Sequence, residues 1–327
     1  MTGLTALTVR NGPRATRIMG TGSFQPERVV TNHDLAEIMD TSDEWIRDRV
    51  GIIERRAAGP DDHLVDFAAA AGSRAVADSG LAPSDVDTVI VATCTMPTQI
   101  PNASARVADM VGIKGAGAFD MNAACAGFCY ALGMASDLVR GGSAERVLVV
   151  GAERFADWVE PTDRSNAIIF ADGAGAVVVG PSDEAAIGPV SWGSAGDLAD
   201  LIYMRDDKWI YQEGQSVFRW ATTQVAPIAL RALELTGLKP SDVDVLIPHQ
   251  ANLRIVNAIA KKLRAEGARE DMVVADDIVY SGNTSSASIP MALDHMRAAG
   301  RVHSGDVLLF VGFGAGLSYA AQVVISP

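Results

Sequence analysis

The 327-residue sequence predicts an α/β protein of two similar halves, with mostly parallel strands covered by helices. Three observations predict it. The segment Gly80-Leu81-Ala82-Pro83-Ser84-Asp85-Val86-Asp87 recurs as Gly237-Leu238-Lys239-Pro240-Ser241-Asp242-Val243-Asp244, an offset of 157 residues. Arg146-Val147-Leu148-Val149-Val150-Gly151 is echoed by Asp306-Val307-Leu308-Leu309-Phe310-Val311-Gly312 at about 160 residues. Short apolar runs also alternate with amphipathic stretches, the pattern of βαβ units. Two echoes at nearly one spacing exceed what recycled helix-to-strand turns explain.

The elements follow in order. Thr41-Ser42-Asp43-Glu44 reads as a capping box opening a short helix that ends near Gly51, with Trp45 and Arg49 on one face. Alanine-rich helices over 65–79 and 221–236 precede the two repeat copies, and the strands Val89-Ile90-Val91 and Val245-Leu246-Ile247 follow them. A strand from Ala118 to Met121 leads to Cys125, which begins a helix with the apolar stripe Phe128, Leu132, Ala135, Leu138 and Val139 and a stop at Gly141-Gly142. Gly180-Pro181-Ser182-Asp183-Glu184 breaks an apolar strand, so the seam falls between Pro181 and Pro189 and divides the chain into residues 1–183 and 184–327. The Asp- and Gly-rich stretch from Ser191 to Gly214 reads as an inserted loop. Pro248 stops the strand before His249, and Ser281 to Ser286 is a turn capping a helix through Ala292 and Met296.

Composition sets the boundaries. With 48% hydrophobic and 20% charged residues, the chain can bury its core without metals or disulfides. Its three cysteines, Cys94, Cys125 and Cys129, have no framework spacing, which argues for a reducing compartment. The stretch from Met1 to Gly22 scatters Arg10, Arg14 and Arg17 and has no apolar core, and no run reaches membrane-span length. The expectation is a soluble, cytoplasmic protein with no membrane partner. Lys+Arg of 27 against Asp+Glu of 40 gives a net charge of −13, which disfavours nucleic acid. An acidic partner would need a local basic patch, and Arg254, Lys261, Lys262 and Arg264 supply one, although such a set is more often a solvated helix face.

Three segments carry the chemistry. Cys125 sits at a helix N-terminus, where unpaired N–H groups and the positive dipole end lower a thiol pKa and favour thiolate. A lone cysteine is more often a small buried hydrophobe, and Cys129, one turn on, fits that role better. The Cys-x-x-x-Cys spacing lacks further metal ligands nearby, so no metal is expected. His249 lies at the C-terminal end of a strand, where parallel sheets bind ligands. His33, His63, His295 and His303 have no such setting. Asn283, in Gly282-Asn283-Thr284-Ser285-Ser286, is by itself a turn residue. A Cys, His and Asn in this order occur in papain-like proteases, but the Cys-Gly-Ser-Cys-Trp signature and disulfides are missing. Gly20-Thr21-Gly22 lacks the third glycine of a dinucleotide loop, and no Gly-x-x-x-x-Gly-Lys-Ser/Thr occurs.

Ala124-Cys125-Ala126-Gly127-Phe128, Pro248-His249-Gln250-Ala251-Asn252 and Gly282-Asn283-Thr284-Ser285 closely resemble β-ketoacyl-acyl-carrier-protein synthase III of the thiolase superfamily. Phe170-Ala171-Asp172-Gly173-Ala174-Gly175-Ala176 and Asp43-Glu44-Trp45-Ile46 add to the likeness, which runs from about Arg17 to Ile325. The resemblance implies a thiolase-like, duplicated five-layer α/β/α/β/α fold with mixed, mostly parallel sheets. It implies that Cys125 takes an acyl group from acyl-CoA and that malonyl-acyl carrier protein loses CO2 and attacks the acyl-cysteine. His249 and Asn283 would hold the enolate oxygen. A second oxyanion hole would use the Cys125 N–H and one from Gly314-Ala315-Gly316, where Ala315 replaces the middle glycine of a more usual triple glycine. The same resemblance makes Trp45 a platform for the CoA adenine with Arg164 on its other face, Arg49 a phosphate contact, and Asn252 and Phe313 further CoA contacts. It makes Ile100 the acyl-pocket gate lent across a homodimer, and Arg254, Lys261 and Lys262 a carrier-protein patch. No cofactor is implied, since acyl-CoA is a substrate.

Three other readings share the scaffold, and no sequence feature excludes the first. A paralogue would prime a polyketide or pass the acyl group to an alcohol or amine. A non-decarboxylating thiolase needs a second cysteine, absent from Phe313-Gly314-Ala315-Gly316-Leu317-Ser318. A catalytically dead acyl-CoA-binding protein would bind CoA without acylation of Cys125.

Overall fold

The computed structural model describes residues 12–327; the segment with Arg10, read above for leader signals, lies outside them. The first half runs β1 (Ala15–Phe24), β2 (Val29–Thr31), α1 (Asn32–Ala36), α2 (Asp43–Val50), β3 (Glu54–Arg56), α3 (Leu64–Asp78), β4 (Thr88–Ala92), α4 (Ala103–Val111), β5 (Gly117–Met121), α5 (Gly127–Arg140), β6 (Val147–Glu153) and β7 (Gly173–Ser182). The second runs β8 (Ser191–Ser194), β9 (Ile202–Arg205), β10 (Trp209–Gln212), α6 (Gly214–Thr236), β11 (Val245–Pro248), α7 (Leu253–Ala265), β12 (Val273–Val274), α8 (Ile278–Ser281), α9 (Ser288–Ala298), β13 (Val307–Gly314) and β14 (Ser318–Ile325).

Two five-stranded sheets share one plan, β1-β7-β6-β4-β5 and β8-β14-β13-β11-β12. In each, two pairings are parallel and two antiparallel. The sheets are mixed, as expected, but the parallel share is half. The reason is local: β6 to β7 and β13 to β14 connect without a crossover helix, and strands joined that way pair antiparallel.

The repeat seen in the sequence is a repeated turn. Pro83–Asp85 and Pro240–Asp242 are both short 3-10 turns, capped by Asp85 accepting from Ala82 N (2.9 Å) and Asp242 from Lys239 N (2.8 Å). Two residues on, Asp87 Oδ2 accepts from Glu145 N (2.7 Å) and Asp244 Oδ2 from Val307 N (2.8 Å), so each copy ties its own strand to the parallel neighbour.

Five layers result. Helices α3 and α4 cover the outer face of the first sheet around Phe67, Val89 and Val150, and α6 and α7 cover the outer face of the second around Val225, Ile259 and Leu309. Between the sheets lie α5 and α9, where Phe128, Leu132, Ile289 and Leu293 meet side chains of both. These two central helices bury most of their residues, nine of fourteen in α5 and seven of eleven in α9, as sandwiching requires.

Two local expectations change. Residues 191–214 are not a plain loop: β8 is the edge strand of the second sheet and β9 and β10 form an antiparallel hairpin. Helix α2 is capped by Ser42 alone, whose Oγ accepts from Trp45 N (3.1 Å). Because the helix starts at Asp43, the third helical position is Trp45 rather than an acid, so no capping box closes. Gly51, at φ 81°, ends it as expected. Among the described residues no helix is long and apolar enough to cross a membrane.

Candidate active site

Strand β5 leads into a 3-10 turn, Ala124–Ala126, that runs directly into α5. Ala124 adopts φ 46°, a conformation that costs an L residue about 1–2 kcal/mol, and Asn122 Oδ1 holds it by accepting from its N–H at 3.0 Å. Cys125 follows, partly open to a cavity of about 920 Å³. Burial pushes its thiol up to about 12; the Ser285 hydroxyl and its own N–H pull it down and Glu153 raises it further. The thiolate expected from the helix terminus is therefore overturned, because desolvation of the charged sulfur outweighs the donors around it.

His249 stands one residue beyond β11, with its N–H donating to the Val311 carbonyl at 2.8 Å. It is 2% exposed, and burial pulls its pKa down to about 3, which keeps the imidazole neutral. Its Nδ1 lies 2.8 Å from Ser288 Oγ, and that hydroxyl also accepts from Gln250 N at 3.3 Å. The serine hydrogen can donate to Nδ1, and in that tautomer the ring proton sits on Nε2. Phe313 meets the imidazole edge-on, with ring centroids 5.4 Å apart.

Asn283 is fixed by its backbone, accepting from Ala171 N (3.0 Å) and donating to the Ile169 carbonyl (2.9 Å). Its Oδ1 accepts from Ser285 N at 2.9 Å, so the amide oxygen is occupied and the Nδ2 hydrogens are the free donors. Ser285 carries φ 47°, nearly the value at Ala124. Cys125, His249 and Asn283 all line the one cavity. Sulfur from the first half and two neutral donors from the second meet there.

The carboxy-terminal loop closes the sulfur's other side. A Cβ on Gly314 would fall 2.7 Å from Cys125 Cβ and 2.9 Å from Cys125 N, so only glycine allows this approach. Ala315 lines the cavity beside it, and the positive φ, 128°, falls on Gly316. Alanine in the middle position is unstrained.

At the cavity mouth Arg164 Cζ lies 3.9 Å from the centre of the Trp45 ring, and Arg49 Cζ 6.0 Å from it. The guanidinium itself occupies the face on which a flat base would stack, so Arg164 must swing aside to admit one. Asn252 is engaged structurally: its Oδ1 caps α7 through Arg254 N (2.9 Å) and its Nδ2 donates to the Arg49 carbonyl (3.3 Å), joining α2 to α7. Arg254 also lines the mouth, against the Phe218 ring, while Lys261 and Lys262 are exposed further along α7. Ile100 is 89% exposed and does not line this chain's own cavity.

Several lining residues escaped the sequence reading. Arg219, in α6, joins Arg49, Arg164 and Arg254 as a fourth arginine at a mouth belonging to an acidic chain. Cys94, Phe155, Trp158 and Phe170 form an apolar recess next to the sulfur, with Trp158 Nε1 donating to the Thr95 carbonyl at 3.2 Å. Phe170 opens the 170–176 segment noted in the sequence, but nothing there marked it as a recess wall, and Cys94, Phe155 and Trp158 belong to no short motif; packing of β4, β6 and the segment after it brings the four together. Among the described residues no cluster of three or more His, Cys, Asp or Glu can hold a metal.

Comparison with known proteins gives one consistent result. A family model described as 3-oxoacyl-[acyl-carrier-protein] synthase III matches residues 119–196, and the model of that family's C-terminal part matches residues 233–325. The β-ketoacyl-[acyl-carrier-protein] synthase III 4 of Streptomyces coelicolor is 49% identical over 96% of this chain and 99% of its own. The mycobacterial β-ketoacyl-[acyl-carrier-protein] synthase III of Mycobacterium avium is 45% identical over 98% of both. Among solved structures, the priming β-ketosynthase from the R1128 polyketide biosynthetic pathway superposes with a TM-score of 0.94 at 41% identity, covering 98% of each chain. The 3-oxoacyl-[acyl-carrier-protein] synthase III of Aquifex aeolicus gives 0.91 at 39% identity, covering 95% of this chain and all of that one.

Proposed function

The chain belongs to the 3-oxoacyl-[acyl-carrier-protein] synthase III family, and from that premise we propose that Cys125, His249 and Asn283 carry out its condensation. It is an acyl-transferring condensing enzyme that initiates fatty-acid or polyketide chains. The observation that carries the residue assignment is the convergence of one thiol and two neutral hydrogen-bond donors on a single cavity with four arginines at its mouth.

The cationic mouth suits the phosphates of acyl-CoA, with Trp45, Arg49, Arg164 and Asn252 around the nucleotide end and Phe313 deeper in. Cys125 sulfur attacks the acyl thioester and CoA leaves as a thiol, its sulfur taking up the proton that Cys125 gives up. A thiol held near 12 does not ionise beforehand, so attack and proton loss are coupled. The malonyl carboxylate then leaves as CO2. Its electron pair forms an enolate whose oxygen accepts from His249 Nε2 and Asn283 Nδ2, and neutral donors suit this because no ion pair has to be broken. The enolate carbon attacks the acyl-cysteine. The tetrahedral oxygen lies toward the N–H groups of Cys125 and Ala315, and its collapse expels the sulfur as thiolate, which takes a proton from solvent.

Further assignments rest on the family. The acidic carrier protein docks on Arg254, Lys261 and Lys262, none of which forms an ion pair among the described residues. Ile100 gates the acyl recess of a second copy in a homodimer. The halves divide at residues 183 and 184, the reaction proceeds in the cytoplasm, and no cofactor takes part. The priming relative favours a second outcome, a polyketide starter in place of a fatty-acid one. Intact-mass measurement with a panel of acyl-CoAs should find one acyl group on Cys125, followed by CO2 release on adding malonyl-carrier protein. No mass gain on Cys125 would end this reading.

A further inference from the structure

One fully buried titratable group beside the site is not among the three residues assigned to the reaction. Glu153, the last residue of β6, is 0% exposed. Its Oε2 lies 2.7 Å from Thr95 Oγ1, 3.1 Å from Cys94 N and 3.3 Å from Thr93 Oγ1. Thr95 Oγ1 in turn accepts from Arg154 N at 2.8 Å, so its own hydrogen goes to the carboxyl. This oxygen is fully supplied with donors.

The other oxygen is different. Glu153 Oε1 has only long contacts from Ser286 N (3.4 Å), Cys94 N (3.4 Å) and Cys94 Sγ (3.5 Å), and its one short partner is Ser286 Oγ at 2.7 Å, while Ser286 Oγ lies 2.8 Å from the Ala92 carbonyl. A serine hydroxyl has one hydrogen and cannot donate to both. If it donates to the carboxyl, the Ala92 oxygen faces the serine oxygen at hydrogen-bond distance with nothing between them. If the carboxyl carries the proton, both contacts are satisfied in sequence: Oε1–H to Ser286 Oγ, and Ser286 Oγ–H to the Ala92 carbonyl.

We propose that Glu153 is a neutral carboxylic acid that acts as a positioning residue for condensation, anchoring the turn that aims Asn283. The path is short. Glu153 holds Ser286, and the preceding residue, Ser285, is in the left-handed region at φ 47° and donates its N–H to Asn283 Oδ1. Releasing Ser286 frees Ser285 to leave that conformation, and the Asn283 amide then loses the bond that turns its NH2 toward the cavity. Burial acts in the same direction on the carboxyl, raising its pKa. The titratable groups facing Glu153 are the Cys94 and Cys125 thiols, both also raised. Arg154, the next residue in the chain, turns its guanidinium to Asp157 and the Gly59 carbonyl. A negative charge there would be met by hydrogen bonds, chiefly from Thr95, Cys94 and Ser286, and burial outweighs them.

The protonation state stands without the family reading, whereas the effect on condensation rests on it. Infrared difference spectra of wild type minus Glu153→Gln at neutral pH should contain a protonated-carboxyl C=O band; Asp172 is common to both proteins and cancels. A carboxylate band in its place overturns the proposal. Should Glu153→Gln not fold, Ser286→Ala must shift the same C=O band by removing its hydrogen-bond acceptor, and an unshifted spectrum counts against it. In single-turnover CO2 release from acyl-loaded enzyme, Glu153→Leu should slow the rate by about tenfold and Glu153→Gln, which keeps a donor to Ser286, should rescue most of that loss. Equal loss in both would mean a carboxylate is needed. Wild type that releases no CO2 would fail the functional reading instead and leave the infrared result intact.

Discussion

Burial drives the two reactive side chains in opposite directions and leaves both uncharged: Cys125 is pushed up to about 12 and His249 down to about 3. A thiolate–imidazolium pair is therefore not the resting state. Alkylation of Cys125 by iodoacetamide should accelerate about tenfold per pH unit through the neutral and mildly alkaline range, since only the thiolate reacts. A plateau near neutrality, read against Cys125→Ser as background, would reveal an ionised sulfur. His249→Ala and Asn283→Ala each remove one donor to the enolate and should lower CO2 release by about 10²–10³-fold, while acyl loading of Cys125 survives. Intact mass and CO2 capture on the same samples separate the two steps. These three residues stand out in the sequence because each sits in a short, distinctive segment, and the fold places all three on one cavity. Their protonation was not legible there, because the helix-terminus argument counts nearby donors and omits the desolvation that comes from residues far away in sequence, such as Phe313 against His249.

Elements position these residues through close backbone approach. Gly151 in β6 is the clearest instance: a Cβ there would fall 2.3 Å from the Ser286 carbonyl oxygen, so strand and turn touch backbone to backbone. Gly151→Ala should push the 285–287 turn away from β6 and destabilise the fold by about 1–3 kcal/mol, with condensation lost before acyl loading. Urea unfolding and the two-step assay check it; an alanine variant of unchanged stability and rate would mean the turn can yield. Strands and the paired Pro-Ser-Asp turns were visible as apolar runs and turn chemistry, whereas the helix expected to begin at Cys125 begins at Gly127, after a 3-10 turn. The β9–β10 hairpin was hidden because residues 191–214 carry Asp and Gly at a density that reads as loop, and only pairing of Tyr203 with Tyr211 and its neighbours reveals strands. The α2 start was misread by one residue because Thr41 and Ser42 are both good caps.

At the scale of the molecule the two halves place unlike residues in like positions. Ala124 and Ser285 share a positive φ, and Cys125 and Ser286 follow them at the starts of the turns before α5 and α9. Gly314 packs on Cys125 where Glu153 grips Ser286, so one copy keeps an open sulfur and the other fills the matching place with an anchored hydroxyl. The echo in sequence revealed the duplication, but not this exchange of roles, since nothing local distinguishes an anchored serine from a free one. The cost of burying unlike groups should be measurable as acid sensitivity. His249, lowered from 6.5 to about 3, binds its proton more weakly in the folded state, so the stability it leaves intact above 6.5 is lost as pH falls toward 3. Asp172, raised from 3.8 to about 6, acts oppositely, adding stability that is full below 3.8 and lost as pH rises through 6. Between pH 7 and pH 4 the first effect amounts to about 3 kcal/mol and the second to about 2, so they largely offset in the wild type. His249→Asn should therefore gain stability relative to wild type on acidification, and Asp172→Asn should lose it. Urea midpoints at several pH values decide the matter, and parallel pH profiles for all three proteins would mean that neither group is buried as described.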